Sequence, residues 1–356
     1  MTSLLTSCVH GYDHIEPVLV GLIATGRCVL LTGRHGVAKT RLARALGAGH
    51  PGGSVFYDAT KDDLISVAGV PSSDSLQQGQ LRFVAHERSI WDKGTVVIDE
   101  ISRAGPETQN LWLEILEART CFGRPLALRC VVATANPDGY AAAFRIDQAL
   151  LDRFHAVVPV PEHQVDVDTA TVEAIAQRAL APQASLTPED CAAAFAAITA
   201  AEAQLLEQQA MERIIAWLGR VVPPLLGLIG EREGGYCSPR TYARNLPETV
   251  LATAAWYHAT GHAAPLSAAA ALAFRYCICT RLDLDEALCR PILEDAERAL
   301  REQAPSDAGD PRVRLLAATG FDALLALPRQ WRRWPSRAPL ARWIPSMAVD
   351  SQPAMV

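Results

Sequence analysis

The sequence predicts an α/β fold with a mostly parallel sheet, followed by an all-helical second part. Three observations carry this expectation. Between Arg27 and His163, five short β-branched apolar runs (CVLLTG, SVFYDA, TVVIDE, CVVATA and HAVVPV) alternate with helix-prone stretches, the pattern of a parallel sheet covered by helices. The first run opens directly into the glycine-containing loop GRHGVAKT, residues 33–40, ahead of helix-prone RLARALGA. From about Val165 to Gln303 the β-branched runs vanish, and Ala, Leu and Glu recur at helical spacing.

These elements sort into three regions. Residues 1–163 make an α/β nucleotide-binding domain, and the prolines of VPVPEHQ mark its end. Residues 164–303 make a helical lid. Residues 304–356 hold a linker, APSDAGDP, and a tail in which seven arginines stand against one acid, Asp322, between Arg312 and Arg342. Trp331, Trp334 and Trp343 are interleaved with those arginines or adjacent to them, so the tail suits docking to an acidic protein partner.

Composition narrows the class. With 49% hydrophobic and 20% charged residues, the 356-residue chain can bury a sizeable core, and its net charge of -6 gives no overall pull toward nucleic acid or anionic membrane. The opening residues lack the basic and apolar segments of a secretory signal, so a cytoplasmic protein is expected. The longest apolar run, residues 214–230, carries Arg220 and Pro223-Pro224, which predicts a kinked core helix rather than a membrane span. Nine cysteines without a C-x-x-C pair are read as buried small hydrophobes.

The loop after the first strand has the context of a phosphate cradle. Backbone N–H groups of Gly33, Arg34, His35, Gly36, Val37 and Ala38 would face the phosphates, with a helix N-terminus adding its dipole. Lys39 would bridge the β- and γ-phosphates of ATP, and the Thr40 hydroxyl would hold Mg²⁺. The usual pattern has glycine where Ala38 stands, and a β-carbon there is harmless only if the backbone keeps φ negative. His35 is expected to be an exposed loop filler.

Downstream, TVVIDE delivers Asp99 and Glu100 to the C-terminal edge of a buried strand, where an open α/β sheet places its ligand. Asp99 would bind Mg²⁺ and Glu100 would act as general base on the attacking water. CVVATANP ends in Asn136, whose amide can hold the lytic water and the γ-phosphate. LLDRF presents Arg153 just before the last strand, and an arginine at a subunit edge can stabilise transition-state charge in a neighbouring site. In CSPRTYARNL, Arg240 begins a helix from which it could report nucleotide state to the second part.

Taken together, VHGYDHIEPVLVGLIATGRCVLLTGRHGVAKT, GQLRFVAHERSIWDKGTVVIDEISRAGPETQNLWLEILEA, VVATANP, LLDRF and SPR resemble the MoxR family of AAA+ ATPases, in the clade with an insertion in helix two and a further helix before the second sensor. The resemblance covers roughly Val9 to Gln303, and members commonly carry alanine at the position of Ala38. It implies a P-loop AAA+ core with a helical lid. Lys39 and Thr40 would be its Walker A pair, Asp99 and Glu100 its Walker B pair, Asn136 sensor one, Arg153 the arginine finger and Arg240 sensor two. Whether Arg240 serves its own site or a neighbour's stays open.

The family usually forms homo-oligomeric hexameric rings with chaperone-like or metal-insertion activity, often beside a protein bearing a von Willebrand A domain. Ser102 departs from the family's asparagine, and DGYAAAFRIDQAL lacks its proline pattern; both bear on ring contacts more than on chemistry. Residues 65–80 correspond to the helix-two insertion, read as a loop or short hairpin facing the pore of a ring. The competing reading is a nucleic-acid motor or a restriction-type defence nucleotidase. The acidic balance, and an insertion whose only charge is Asp74, weigh against it. A switch that binds ATP without turnover would have no need of Glu100, Asn136 and Arg153 together.

Overall fold

The computed structural model describes residues 4–137, 146–162, 168–180, 186–262, 264 and 266–301, apart from the side chains of residues 6, 178–179 and 298–301. The linker and the Arg/Trp tail of the sequence reading lie outside these residues, as does most of DGYAAAFRIDQAL.

All five apolar runs form strands: β1 (Val29–Thr32), β2 (Ser54–Asp58), β3 (Thr95–Asp99), β4 (Cys130–Ala135) and β5 (Ala156–Pro159). They pair in parallel in the order β2-β3-β4-β1-β5. β1 sends its chain toward β2, while its neighbour β4 sends its chain the other way to β5. That reversal places the ligand crevice of an open sheet at the C-terminal ends of β1 and β4.

The period-two alternation of side chains splits the core between the two faces of the sheet. Val29 and Leu31 join one apolar cluster with helices α1 (Glu16–Ala24) and α2 (Lys39–Gly47) and with the later helices. Leu30 joins the other, with Trp112 and Ile115 of α3 (Pro106–Ala118).

Beyond β5 the described elements are all helical: α4 (Thr169–Leu180), α5 (Pro188–Glu207), α6 (Ala210–Gly230), α7 (Leu246–Thr260), α8 (Leu266–Phe274) and α9 (Glu286–Arg301). Thr187 begins α5 with a reciprocal cap, its hydroxyl accepting the Asp190 N–H while the Asp190 carboxylate accepts the Thr187 N–H. α6 is long and apolar enough to cross a membrane by length and composition. Its stripe of Ile214, Trp217, Leu218, Val221, Leu225 and Ile229 is buried, which suits a core helix, and Pro223 and Pro224 lie inside it. α1 approaches α7 so closely that a β-carbon on Gly21 would sit 2.5 Å from the Ala252 carbonyl oxygen. All nine cysteines are buried and free.

The segment expected as a loop or short hairpin over residues 65–80 is more structured than that. Val70–Pro71 pairs antiparallel with Phe83–Val84, so the return strand lies beyond Gln80. Between the strands the helix Ser73–Gln77 is capped by the Ser72 hydroxyl. A second small hairpin, Thr120–Cys121 with Arg124–Pro125, stands beside it, with Phe83 against Phe122 and Arg124 over the Trp91 ring. Leu76, Leu81, Val84 and Phe122 are exposed on these two hairpins.

Candidate active site

The loop after β1 turns on backbone conformations that favour glycine. Gly33 has φ 151° and Gly36 φ 83°, and the space where a β-carbon would stand on Gly36 is open. Ala38 also lies in the left-handed region, at φ 62° and ψ 20°. The condition for a harmless β-carbon, a negative φ, is therefore not met. The chain must reverse there to start α2 at Lys39, and Ala38 bears the steric cost of its own β-carbon. Tyr12 braces the loop from below, its hydroxyl donating to the Val37 carbonyl at 2.6 Å. Arg34 pairs with Glu162 at 3.4 Å, and His35 is exposed.

Lys39 is buried and folded back on the loop. Its Nζ donates to the carbonyls of Gly33 at 2.6 Å and Arg34 at 2.8 Å, and to Asn136 Oδ1 at 3.2 Å. Burial lowers the pKa of this ammonium, against the opposing pull of Asp99, Glu100 and Glu162. The three carboxylates are thus close enough to favour its charge.

At the end of β3, Asp99 Oδ1 accepts two hydroxyls, from Thr40 at 2.7 Å and from Thr134 at 2.6 Å. The Thr134 oxygen also accepts the Glu100 N–H at 3.0 Å, so one fully buried side chain ties both acids to β4. Glu100 sits at φ 55°, and its carboxylate pairs with Arg103 Nη1 at 3.0 Å. Thus Lys39, Thr40, Asp99, Glu100 and Asn136 converge at the C-terminal edge of β1, β3 and β4. Thr134 went unread in the sequence, although it lies two residues before Asn136, on the same face of the strand.

Arg153 and Arg240 stand together elsewhere. Both pair with Glu117 near the end of α3, Arg153 Nε at 3.0 Å and Arg240 Nη2 at 2.5 Å. Burial pushes the Glu117 carboxyl up, but the Arg240 hydrogen bond and charge, followed by Arg153, hold it below the usual carboxylate value. Arg240 precedes a π-helical turn, Thr241–Asn245, that runs into α7. Among the described residues, neither arginine makes a hydrogen bond or ion pair with Lys39, Thr40, Asp99, Glu100 or Asn136. A cleft of about 1290 Å³ runs from Gly33 and Asn136 past Arg153 to Ser238 and Arg281.

The donor set fits a nucleotide with Mg²⁺. A hydroxyl and a carboxylate, both hard oxygen ligands, lie 2.7 Å apart beside a buried ammonium, at the mouth of an N–H-rich loop. Thr40 and Asp99 are the residues that could hold such a metal.

Comparison with known proteins bears on the fold. Residues 28–154 match the family model of the AAA domain, dynein-related subfamily. An uncharacterized Bacillus subtilis (strain 168) protein, YeaC, is 32% identical over 159 residues, 40% of this chain; the match spans 48% of that relative, about half its length. A crystal structure described as a putative ATPase from Cytophaga hutchinsonii superposes with a TM-score of 0.54 at 20% identity, covering 83% of this chain and 92% of that one. Residues 28–154 are therefore similar to an AAA domain, and the fold, a parallel sheet followed by helices, is that of an AAA+ core with a helical lid.

Proposed function

We propose that the chain is an Mg²⁺-dependent ATPase of MoxR type, which works in a homo-oligomeric ring and couples ATP hydrolysis to the remodelling of a partner protein complex. The observation that carries the reading is the hydroxyl–carboxylate cluster of Thr40, Asp99 and Thr134 beside Lys39. A ligand with clustered negative charge and a hard cation would use all of these groups at once.

In this reading Lys39 releases the carbonyls of Gly33 and Arg34 and turns to the β- and γ-phosphate oxygens. Thr40 and Asp99 would hold Mg²⁺, which would supply positive charge to the phosphates. Glu100 leaves Arg103 and takes the proton of a water that Asn136 orients toward the γ-phosphorus. The water oxygen bonds to phosphorus as the bond to the β-phosphate oxygen breaks, giving ADP and phosphate. Arg153, from the neighbouring subunit, leaves Glu117 and meets the charge on the transferring group. A protein bearing a von Willebrand A domain is the partner class that the family resemblance suggests.

Lys39→Ala tests the site. The phosphates lose their best-placed cation, so ATP affinity measured by calorimetry should fall by a factor of roughly a hundred or more, which corresponds to losing a charge-assisted contact of about 3 kcal/mol. Unchanged affinity would remove the site assignment.

A further inference from the structure

The turn that carries Arg153 is gripped from the helical part by a buried guanidinium, with Asn245 Nδ2 donating beside it to the Phe154 carbonyl at 3.2 Å. Arg281 follows the π-helical turn Arg275–Cys279, and its side chain is only 4% exposed. Its Nη1 donates to the Leu151 carbonyl at 2.8 Å and lies 3.6 Å from Asp152 Oδ1, while its Nη2 donates to the Phe154 carbonyl. Its Nε is committed to the Cys277 carbonyl on its own side.

Asp152 completes the connection. Its Oδ1 accepts the hydroxyls of Ser238 and Thr241, both at 2.6 Å, and its carbonyl accepts Asn245 Nδ2 at 2.9 Å. The residues on either side of Arg153 thus have their polar groups satisfied by the helical part. By contrast, Arg153's own guanidinium makes only exposed or partly exposed polar contacts, donating from Nη1 to the Ala149 carbonyl one turn back at 2.7 Å and pairing with Glu117. Buried hydrogen bonds from a cation outweigh a partly exposed ion pair, so the helical part fixes where the Arg153 backbone sits.

We infer that Arg281 is a positioning residue for Arg153: its fork holds the turn of residues 151–154 in register with the helical part, so the angle of that part sets the reach of the Arg153 guanidinium. The inference rests on the reading of Arg153 as the arginine that acts on a neighbour's ATP. The planar fork is essential to it, because lysine keeps the charge opposite Asp152 but cannot donate to Leu151 and Phe154 while also holding Cys277.

The test is steady-state ATP hydrolysis by the full chain, comparing wild type, Arg281→Lys, Arg153→Ala and the double variant. Arg281→Lys should lower kcat roughly 10- to 100-fold, the effect of displacing a transition-state contact by about an ångström. KM for ATP should stay within about twofold, since the nucleotide's own cradle is untouched. In the Arg153→Ala background the same change should cost nothing further, an outcome that a general loss of structure would not give. Asp152→Asn, nearly isosteric, serves if Arg281→Lys does not fold, and should show the same dependence on Arg153. Wild-type kcat in the folded single variants, or losses that multiply with that of Arg153→Ala, would overturn the inference. Arg153→Ala with wild-type turnover would strike instead at the reading of Arg153 itself, and the role of Arg281 would fall with it.

Discussion

A hydroxyl that donates to Asp99 while accepting the Glu100 N–H orients both acids, so Thr134 has more leverage than its size suggests. Thr134→Val keeps the shape and deletes the donor, at a cost of about 1.5–3 kcal/mol for a hydrogen bond to a charged group. The Mg²⁺ requirement for hydrolysis should rise and kcat fall about tenfold; an unchanged Mg²⁺ titration would show that Thr134 orients nothing. Ala38 gives a second measurement at this scale. Its left-handed backbone costs about 1 kcal/mol with a β-carbon present. Ala38→Gly should therefore stabilise the chain by roughly 0.5–1 kcal/mol in denaturant unfolding, despite glycine's entropy. Destabilisation by that amount would refute the assigned conformation. The sequence showed that an unusual residue stood here but not its φ, because one side chain does not reveal which way a loop must turn to launch its helix. Thr134 was missed for a similar reason: a threonine in a β-branched run reads as strand filler until its register is known.

At the level of elements, β1 and β5 are joined to α5 and α7 by a buried polar network. His155 Nδ1 accepts the Cys28 N–H, which leaves the ring's Nε2–H to donate to Glu248 at 3.0 Å and makes the imidazole neutral. Arg27 bridges Glu202 at 2.5 Å and Glu248 at 3.3 Å. Burial lowers the pKa of His155. For Glu248, burial pushes the carboxyl up, but the His155 hydrogen bond, followed by Arg27 and Arg244, holds it down to about 2. Both pKa values are depressed in the folded state, so both contributions are present above the unfolded pKa and are lost as pH falls. The histidine part begins to fade below about pH 6.5, and the Glu248 part between about pH 4.5 and 2. Stability should thus drop in two stages on acidification, by about 2 kcal/mol for Glu248 after discounting its partial exposure. Glu248→Gln should flatten the lower stage in urea titrations across pH; an unchanged profile would contradict the network's role. None of this was visible in the sequence, since the partners are up to 221 residues apart. The five strands were legible because each is a continuous apolar run. Of the two small hairpins, the sequence suggested one within residues 65–80 but not its return strand at Phe83–Val84, and not the other, because two-residue strands carry no period and depend on tertiary contacts such as Phe83 on Phe122.

For the whole molecule, strand order and motif spacing together bring Lys39, Thr40, Asp99 and Asn136 to one edge of the sheet, and the sequence indicated that convergence well. It did not indicate that Arg153 and Arg240 would share Glu117, because the docking of the helical part sets that meeting. The central claim is that this edge binds ATP and hydrolyses it with Glu100 as the base. The most direct measurement pairs ATP affinity with turnover in Glu100→Gln. The account predicts affinity within a few-fold of wild type, because Lys39, Thr40 and Asp99 remain, and turnover lowered by a factor of about 10²–10⁴. Hydrolysis by Glu100→Gln at the wild-type rate, or loss of ATP binding in that variant, would contradict it.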